Sequence, residues 1–379
     1  MKTLTPVLMS FFVMSFCDLV GIGSDRVKQD FQLSNTLAQL LPSAVFLWFL
    51  LLAVPIGVWQ DRLGKRKVLN MGIMLTALGL FIPLVTYNFP MVLLAFAMLG
   101  IGNTIVQVAA NPLLVDVTPE KSRSSFLSFS QFIKSIGSML AAPLAGFLAS
   151  RFGDWKLIFL VFGVVSVITS IWLASVPIEE SQQSQERASV GSSFKLLGNG
   201  YIGMMVLGIF LVVGVDVGIN SISGQYLLNK YQAEQSLAES GRSFYFFGKM
   251  LGTFGGALLL TKLEARRFLL YSSVLGLLAL GSLLVVSSTS MAIAMIFLTG
   301  LGLANIFPLI FSLSVEKYPN RANEISGLVI MAVAGGAVLP LLSGWVSDQF
   351  SLTAGMLVLV LSTVYFLILS LYSAQTKKP

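Results

Sequence analysis

Residues 57–66 read Gly57-Val58-Trp59-Gln60-Asp61-Arg62-Leu63-Gly64-Lys65-Arg66, and they stand between two apolar runs, 36–60 and 67–87. A hydrocarbon core of about 30 Å takes roughly 20 apolar residues per helix. Each flanking run is long enough to cross a bilayer, so the charged decamer is the turn between two crossings. Extended outward, the same reading finds twelve runs: 5–24, 36–60, 67–87, 90–117, 123–150, 155–176, 199–229, 240–262, 266–287, 291–315, 322–347 and 352–374. They are too long for the strands of a membrane barrel and lack period-two alternation. The predicted fold class is an all-α membrane protein with twelve transmembrane helices. The first run leads into the charged stretch Asp25–Asp30 with no small-residue cleavage pattern, so it is expected to be a retained helix, not a signal peptide.

Composition excludes several functions. Of 379 residues, 55% are hydrophobic and 11% charged, against about 25% charged in an ordinary soluble domain. A soluble enzyme of this size would lack the polar surface to stay dissolved. Histidine is absent, which removes the usual metal ligand and the usual near-neutral acid–base group. Cys17 is the single cysteine, so no internal disulfide or cysteine-based metal cluster is possible. Gly100-Ile101-Gly102 lies inside a membrane run, not after a strand, and is no nucleotide loop. No enzyme, cofactor or metal is expected.

The net charge is +7. Sixteen of the 24 Lys and Arg fall on the side holding Lys2, Arg62, Lys65, Lys121, Arg187, Lys262, Lys317 and Lys377; six fall on the other side, and Lys134 and Lys249 lie inside helices. By the positive-inside rule the richer side is cytoplasmic. Both termini and the polar linker 177–198 are then cytoplasmic, in a multi-pass cell membrane of the bacterial inner-membrane kind. The basic excess needs no nucleic-acid partner.

The two halves repeat at an offset near 200. Gly100-Ile101-Gly102 meets Gly300-Leu301-Gly302, Pro119 meets Pro319, and Asp18 meets Asp216 at 198. This implies two pseudo-symmetric six-helix bundles, 1–176 and 199–379, joined by the linker. Two such halves, together with the decamer, resemble the major facilitator superfamily, whose loop after the second span reads G-x-x-x-D-R-x-G-R-R. On that resemblance Gly57, Asp61, Arg62, Gly64, Lys65 and Arg66 form a gating motif. Physically, Gly57 permits close helix approach, Gly64 makes the turn, and the charges form a cytoplasmic latch. The plain alternative is an ordinary basic loop.

The fourth span ends in Gln107-Val108-Ala109-Ala110-Asn111-Pro112. Asn103, Gln107 and Asn111 recur every four residues and share a helix face. Buried amides are costly unless they line a cavity or pair, so this stripe is either a binding face or helix–helix glue. Pro112 lacks an N–H, so a kink or local unwinding is expected there.

The V-A-A-N-P run is similar to that of the fucose/glucose–galactose:proton symporter family. Asn305-Ile306-Phe307-Pro308, Gly335-Gly336-Ala337 with Pro340, and Gly214-Val215-Asp216-Val217-Gly218 also resemble its motifs. The resemblance implies proton-coupled sugar uptake. Family members carry a glutamate where Gln107 stands, an asparagine where Lys134 stands and an arginine where Lys249 stands. Their first-span acid aligns near Gly21, one turn after Asp18.

Four ionisable residues lie deep in spans: Asp18, Lys134, Asp216 and Lys249. Each would cost about 2.5–3.5 kcal/mol facing lipid unpaired. They are functional candidates, or two buried ion pairs that lock the bundle. In a chain without histidine, Asp18 and Asp216 are the proton-coupling candidates. Asn103, Gln107, Asn111, Gln131, Lys134, Asn220 and Lys249 are the polar substrate candidates. Trp48 and Tyr245 could stack on a sugar ring, although most membrane aromatics are packing residues. Lys134 either binds an acidic substrate or pairs with Asp18. The expected partners are a small-molecule sugar, protons and the lipid bilayer, and the expected state is a monomer. The function read from these residues is sugar import by proton symport with alternating access. The alternative is a carrier of an acidic sugar or another small organic solute, or an exporter, with different or no proton coupling.

Overall fold

The computed structural model describes residues 3–33, 37, 40–180, 189–232 and 235–375. Sixteen α-helices run in order among them. The first seven are α1 Leu4–Met14, α2 Leu19–Asp30, α3 Leu40–Leu63, α4 Lys65–Val85, α5 Phe89–Asp116, α6 Arg123–Phe152 and α7 Leu157–Ser175. The short α8, Val190–Leu196, belongs to the central linker. The rest are α9 Gly200–Tyr231, α10 Gln235–Leu259, α11 Ala265–Ser282, α12 Thr289–Leu303, α13 Ile306–Lys317, α14 Ala322–Met331, α15 Gly335–Gln349 and α16 Leu352–Gln375.

Nine stretches of the described residues are long and apolar enough to cross a bilayer. The other three predicted crossings, the first, eighth and ninth, correspond to α1–α2, α10 and α11. The first runs on to Asp30, past the expected end at 24, because its charged last turns stay helical.

Among the described residues three crossings are broken, each for a visible reason. Between α1 and α2 lies a 3₁₀ turn, Ser15–Asp18. There the Ser15 hydroxyl donates to the Phe12 carbonyl at 2.6 Å and the Asn103 amide donates to the Met14 carbonyl at 2.7 Å. Side chains inserted into the backbone ladder interrupt an α-helix. The gap between α12 and α13 falls at Ala304–Asn305, four residues before Pro308, whose missing N–H cannot bond the Ala304 carbonyl. A 3₁₀ turn, Ala332–Ala334, separates α14 from Gly335, whose bare Cα sits against the Phe210 carbonyl.

Pro112 behaves otherwise. The expected unwinding is absent: α5 runs unbroken from Phe89 to Asp116. Its proline leaves the Val108 carbonyl without an intrahelical donor, and the Ser326 hydroxyl of α14 supplies one at 2.6 Å.

The chain forms two compact units. The first holds residues 1–120, 133–194 and 320–331; the second holds 121–132, 195–319 and 332–379. Each therefore contains one half of the sequence, less one segment and plus one from the other half. The exchanged segments, 121–132 and 320–331, stand 199 residues apart throughout, so they are repeat mates. In the first unit, α14 packs on α3 so closely that a Cβ on Gly57 would lie 2.8 Å from the Asn323 carbonyl. In the second, Ser124 and Ser312 hydroxyls bond at 2.7 Å and the Phe132 and Phe254 rings stand 4.9 Å apart.

At the ends of its crossings the first unit is tied by Asp30. Its carboxylate accepts from the Tyr87 hydroxyl at 2.6 Å and the Trp155 indole N–H at 3.0 Å. Burial first, then this bond to Asp30, holds the Tyr87 phenol well above its usual range, so it stays a donor.

Candidate functional site

The decamer turns where expected. Gly64 has φ of 89°, a left-handed conformation that favours glycine. Asp61 is buried and accepts from the Asn323 side-chain amide at 3.0 Å, while the Gln60 amide donates to the Asn323 carbonyl at 3.4 Å. Lys65 is buried against Asp116, with its ammonium 2.6 Å from the carboxylate. Glu180 of the linker accepts from the backbone N–H of Lys65 at 2.6 Å and of Arg66 at 3.1 Å, so it caps α4. The Arg66 guanidinium donates to the Leu173 carbonyl at 3.2 Å and to the Ala174 carbonyl, which are free ends of α7. Arg62 is exposed.

The amide stripe on α5 is a chain of bonds. Asn103 donates to the Met14 carbonyl, Gln107 donates to the Asn103 side-chain oxygen at 2.8 Å, and Asn111 donates to the Gln107 backbone carbonyl at 2.9 Å. All three side chains are buried. The Asn111 side-chain oxygen has no partner.

The inner acid of the first unit sits on the 3₁₀ turn. From 6 to 20, Asp18 is the only exposed residue. The Ser138 hydroxyl of α6 donates to its carboxylate. Lys134 is one turn earlier on α6, half-buried, and the Ser138 hydroxyl also reaches its backbone carbonyl at 3.2 Å. Gln131, one turn earlier again, is half-buried. The close approach of α6 to the turn requires Gly137, because a Cβ there would strike the Ser15 side chain.

In the second unit Asp216 of α9 has both carboxylate oxygens engaged. The Tyr245 hydroxyl donates to one and the Lys249 ammonium to the other, both from α10. Tyr245 is fully buried, so this ring packs inside the unit. Trp48 is half-buried, with its indole edge against Gly100. The side chain of Asn220 lies outside the described residues.

The family model described as Major Facilitator Superfamily matches residues 6–329 and, in a second match, 205–379. The chain belongs to the Major Facilitator Superfamily. Its relatives within the superfamily include the glucose/galactose transporter of Brucella abortus, 25% identical, with 98% of this chain and 94% of that protein aligned. The L-fucose-proton symporter of Escherichia coli is 23% identical over 85% of this chain and 81% of its own length. A crystal structure of the fucose transporter in an outward conformation superposes with a TM-score of 0.87 at 17% identity, covering 98% of this chain and 99% of the other. That likeness carries the fold: the twelve-helix architecture of the superfamily. The superfamily comprises transporters, not enzymes.

Several residues of this superfamily member escaped the sequence reading. Ser138 holds Asp18, Asp116 pairs Lys65, Glu180 caps α4, and Asn323 holds Asp61. Asp116 carried a usable signal, because Glu316 stands at its repeat position. Asn323 and Glu180 carried none, since their partners are 262 and 115 residues away.

Proposed function

We propose that this chain is a secondary active sugar importer that couples uptake to a proton by alternating access. Its relatives support the sugar: proteins aligned over most of their length are named a glucose/galactose transporter and an L-fucose-proton symporter. The observation that carries the coupling is Asp18, an exposed carboxylate in an otherwise buried run, bonded by a neutral hydroxyl. Among the described residues no cation stands within 4.0 Å of its carboxylate, which makes Asp18 the candidate proton carrier. Asp216 is bound by a lysine and a phenol together, both from α10, and so orders α9 against α10. Gln107, Asn111 and Lys134 of the first unit supply polar contacts to substrate. The basic loops favour cytoplasmic termini in the inner membrane, where the chain acts as a monomer.

The test is sugar-driven pH change in proteoliposomes. The native protein is expected to move protons with sugar. Asp18→Asn is expected to lose proton movement yet keep sugar exchange between two loaded compartments. Undiminished proton-coupled uptake by Asp18→Asn would overturn the assignment.

A further inference from the structure

Among the described residues two lysines lie deep inside spans, and one of them, Lys249, is matched by Asp216. Lys134 is not. Among the described residues no carboxylate stands within 4.0 Å of its ammonium. Asp18, the nearest acid by sequence reading, is held by Ser138 instead. A cation inside a membrane bundle needs a counter-charge. Lys134 is only half-buried, on the same α6 face as Ser138, beside the 3₁₀ turn. Its counter-charge can therefore arrive from outside the protein.

Resting on the transport reading above, we propose that the transported sugar carries a carboxylate, as a uronic acid does, and that Lys134 binds it. Asp18 then sets the affinity. Cys17 is on its own turn, the Ser138 hydroxyl that bonds its carboxylate comes from α6, and Lys134 stands one helical turn before Ser138. Asn103 of α5 donates to the Met14 carbonyl at the start of the turn. The charged residues of α2 are Asp25, Arg26, Lys28 and Asp30, the side chain of Asp25 lying outside the described residues. With Asp18 ionised, its negative charge repels a second carboxylate and offsets the lysine. With Asp18 protonated, Lys134 is left in excess and anion binding strengthens. By linkage, bound anion equally favours the protonated acid. One proton and one monovalent anion then cross together without net charge.

The experiment uses the full chain in proteoliposomes, with counterflow of glucose, galactose, fucose, glucuronate and galacturonate at two pH values. Uronates should exchange, more strongly at the lower pH, and no current should accompany uptake. Lys134→Gln should weaken uronate exchange by about tenfold or more, the loss of a charge-assisted bond, while Lys134→Arg retains most of it. Melting temperature confirms that each variant is folded. Exchange of neutral sugars alone, unchanged in Lys134→Gln, overturns this inference and leaves sugar transport standing. Exchange of neither class by folded native protein overturns both.

Discussion

Lys65 is a cation at the first turn of a helix, where the backbone dipole disfavours positive charge. It is tolerated because Asp116 meets it at 2.6 Å, with both side chains only 6% exposed. Glu180 supplies the carboxylate that the helix terminus itself prefers. A buried pair adds little net stability over an apolar substitute, but a broken one leaves a charge unpaired at about 3–5 kcal/mol. Asp116→Ala is therefore expected to lower the melting temperature by several degrees in detergent. Asp116→Leu combined with Lys65→Met should recover most of the loss. If Asp116→Ala melts like the native protein, the pair is no structural lock.

At the scale of elements, the bond between Ser326 and the Val108 carbonyl explains how α5 carries Pro112 without unwinding. The proline withdraws a donor, and a neighbouring helix replaces it. Ser326→Ala leaves a buried carbonyl unsatisfied, at about 1–3 kcal/mol, and should lower the melting temperature. In a Pro112→Ala background the backbone N–H returns, so the same Ser326→Ala change should cost much less. Equal costs in the two backgrounds, read by a double-mutant cycle, would sink this account. The elements themselves were legible, because hydropathy and length report each crossing. Pro112 was legible as a defect. Its remedy was not, since the donor lies 218 residues from the acceptor and nothing near Pro112 encodes it. The same holds for the site: Asp18 and Lys134 stood out as charges in apolar runs, but a serine such as Ser138 has no distinguishing mark in the chain.

At the scale of the molecule, the repeat predicted two halves, while the compact units exchange the segments 121–132 and 320–331 between them. An internal repeat reports which segments are equivalent, not which unit each one packs into. That choice depends on contacts such as Gly57 with Gly327 and Asp61 with Asn323, which no periodicity describes. The alternating-access cycle proposed above moves one repeat against the other. On that cycle a segment that belongs to one half by sequence and to the other by packing is expected to change partners. Holding 320–331 on α3 should therefore arrest turnover. Gln60→Cys with Asn323→Cys puts one thiol on each of two elements that meet where the Gln60 amide now donates to the Asn323 carbonyl at 3.4 Å, and a Cys17→Ser background removes the one native thiol. A short bifunctional thiol reagent is expected to abolish sugar exchange in this double variant and to leave either single variant active, with recovery after reduction. Full exchange by quantitatively cross-linked protein would mean that 320–331 stays with the first unit throughout the cycle, and that access alternates by movement elsewhere.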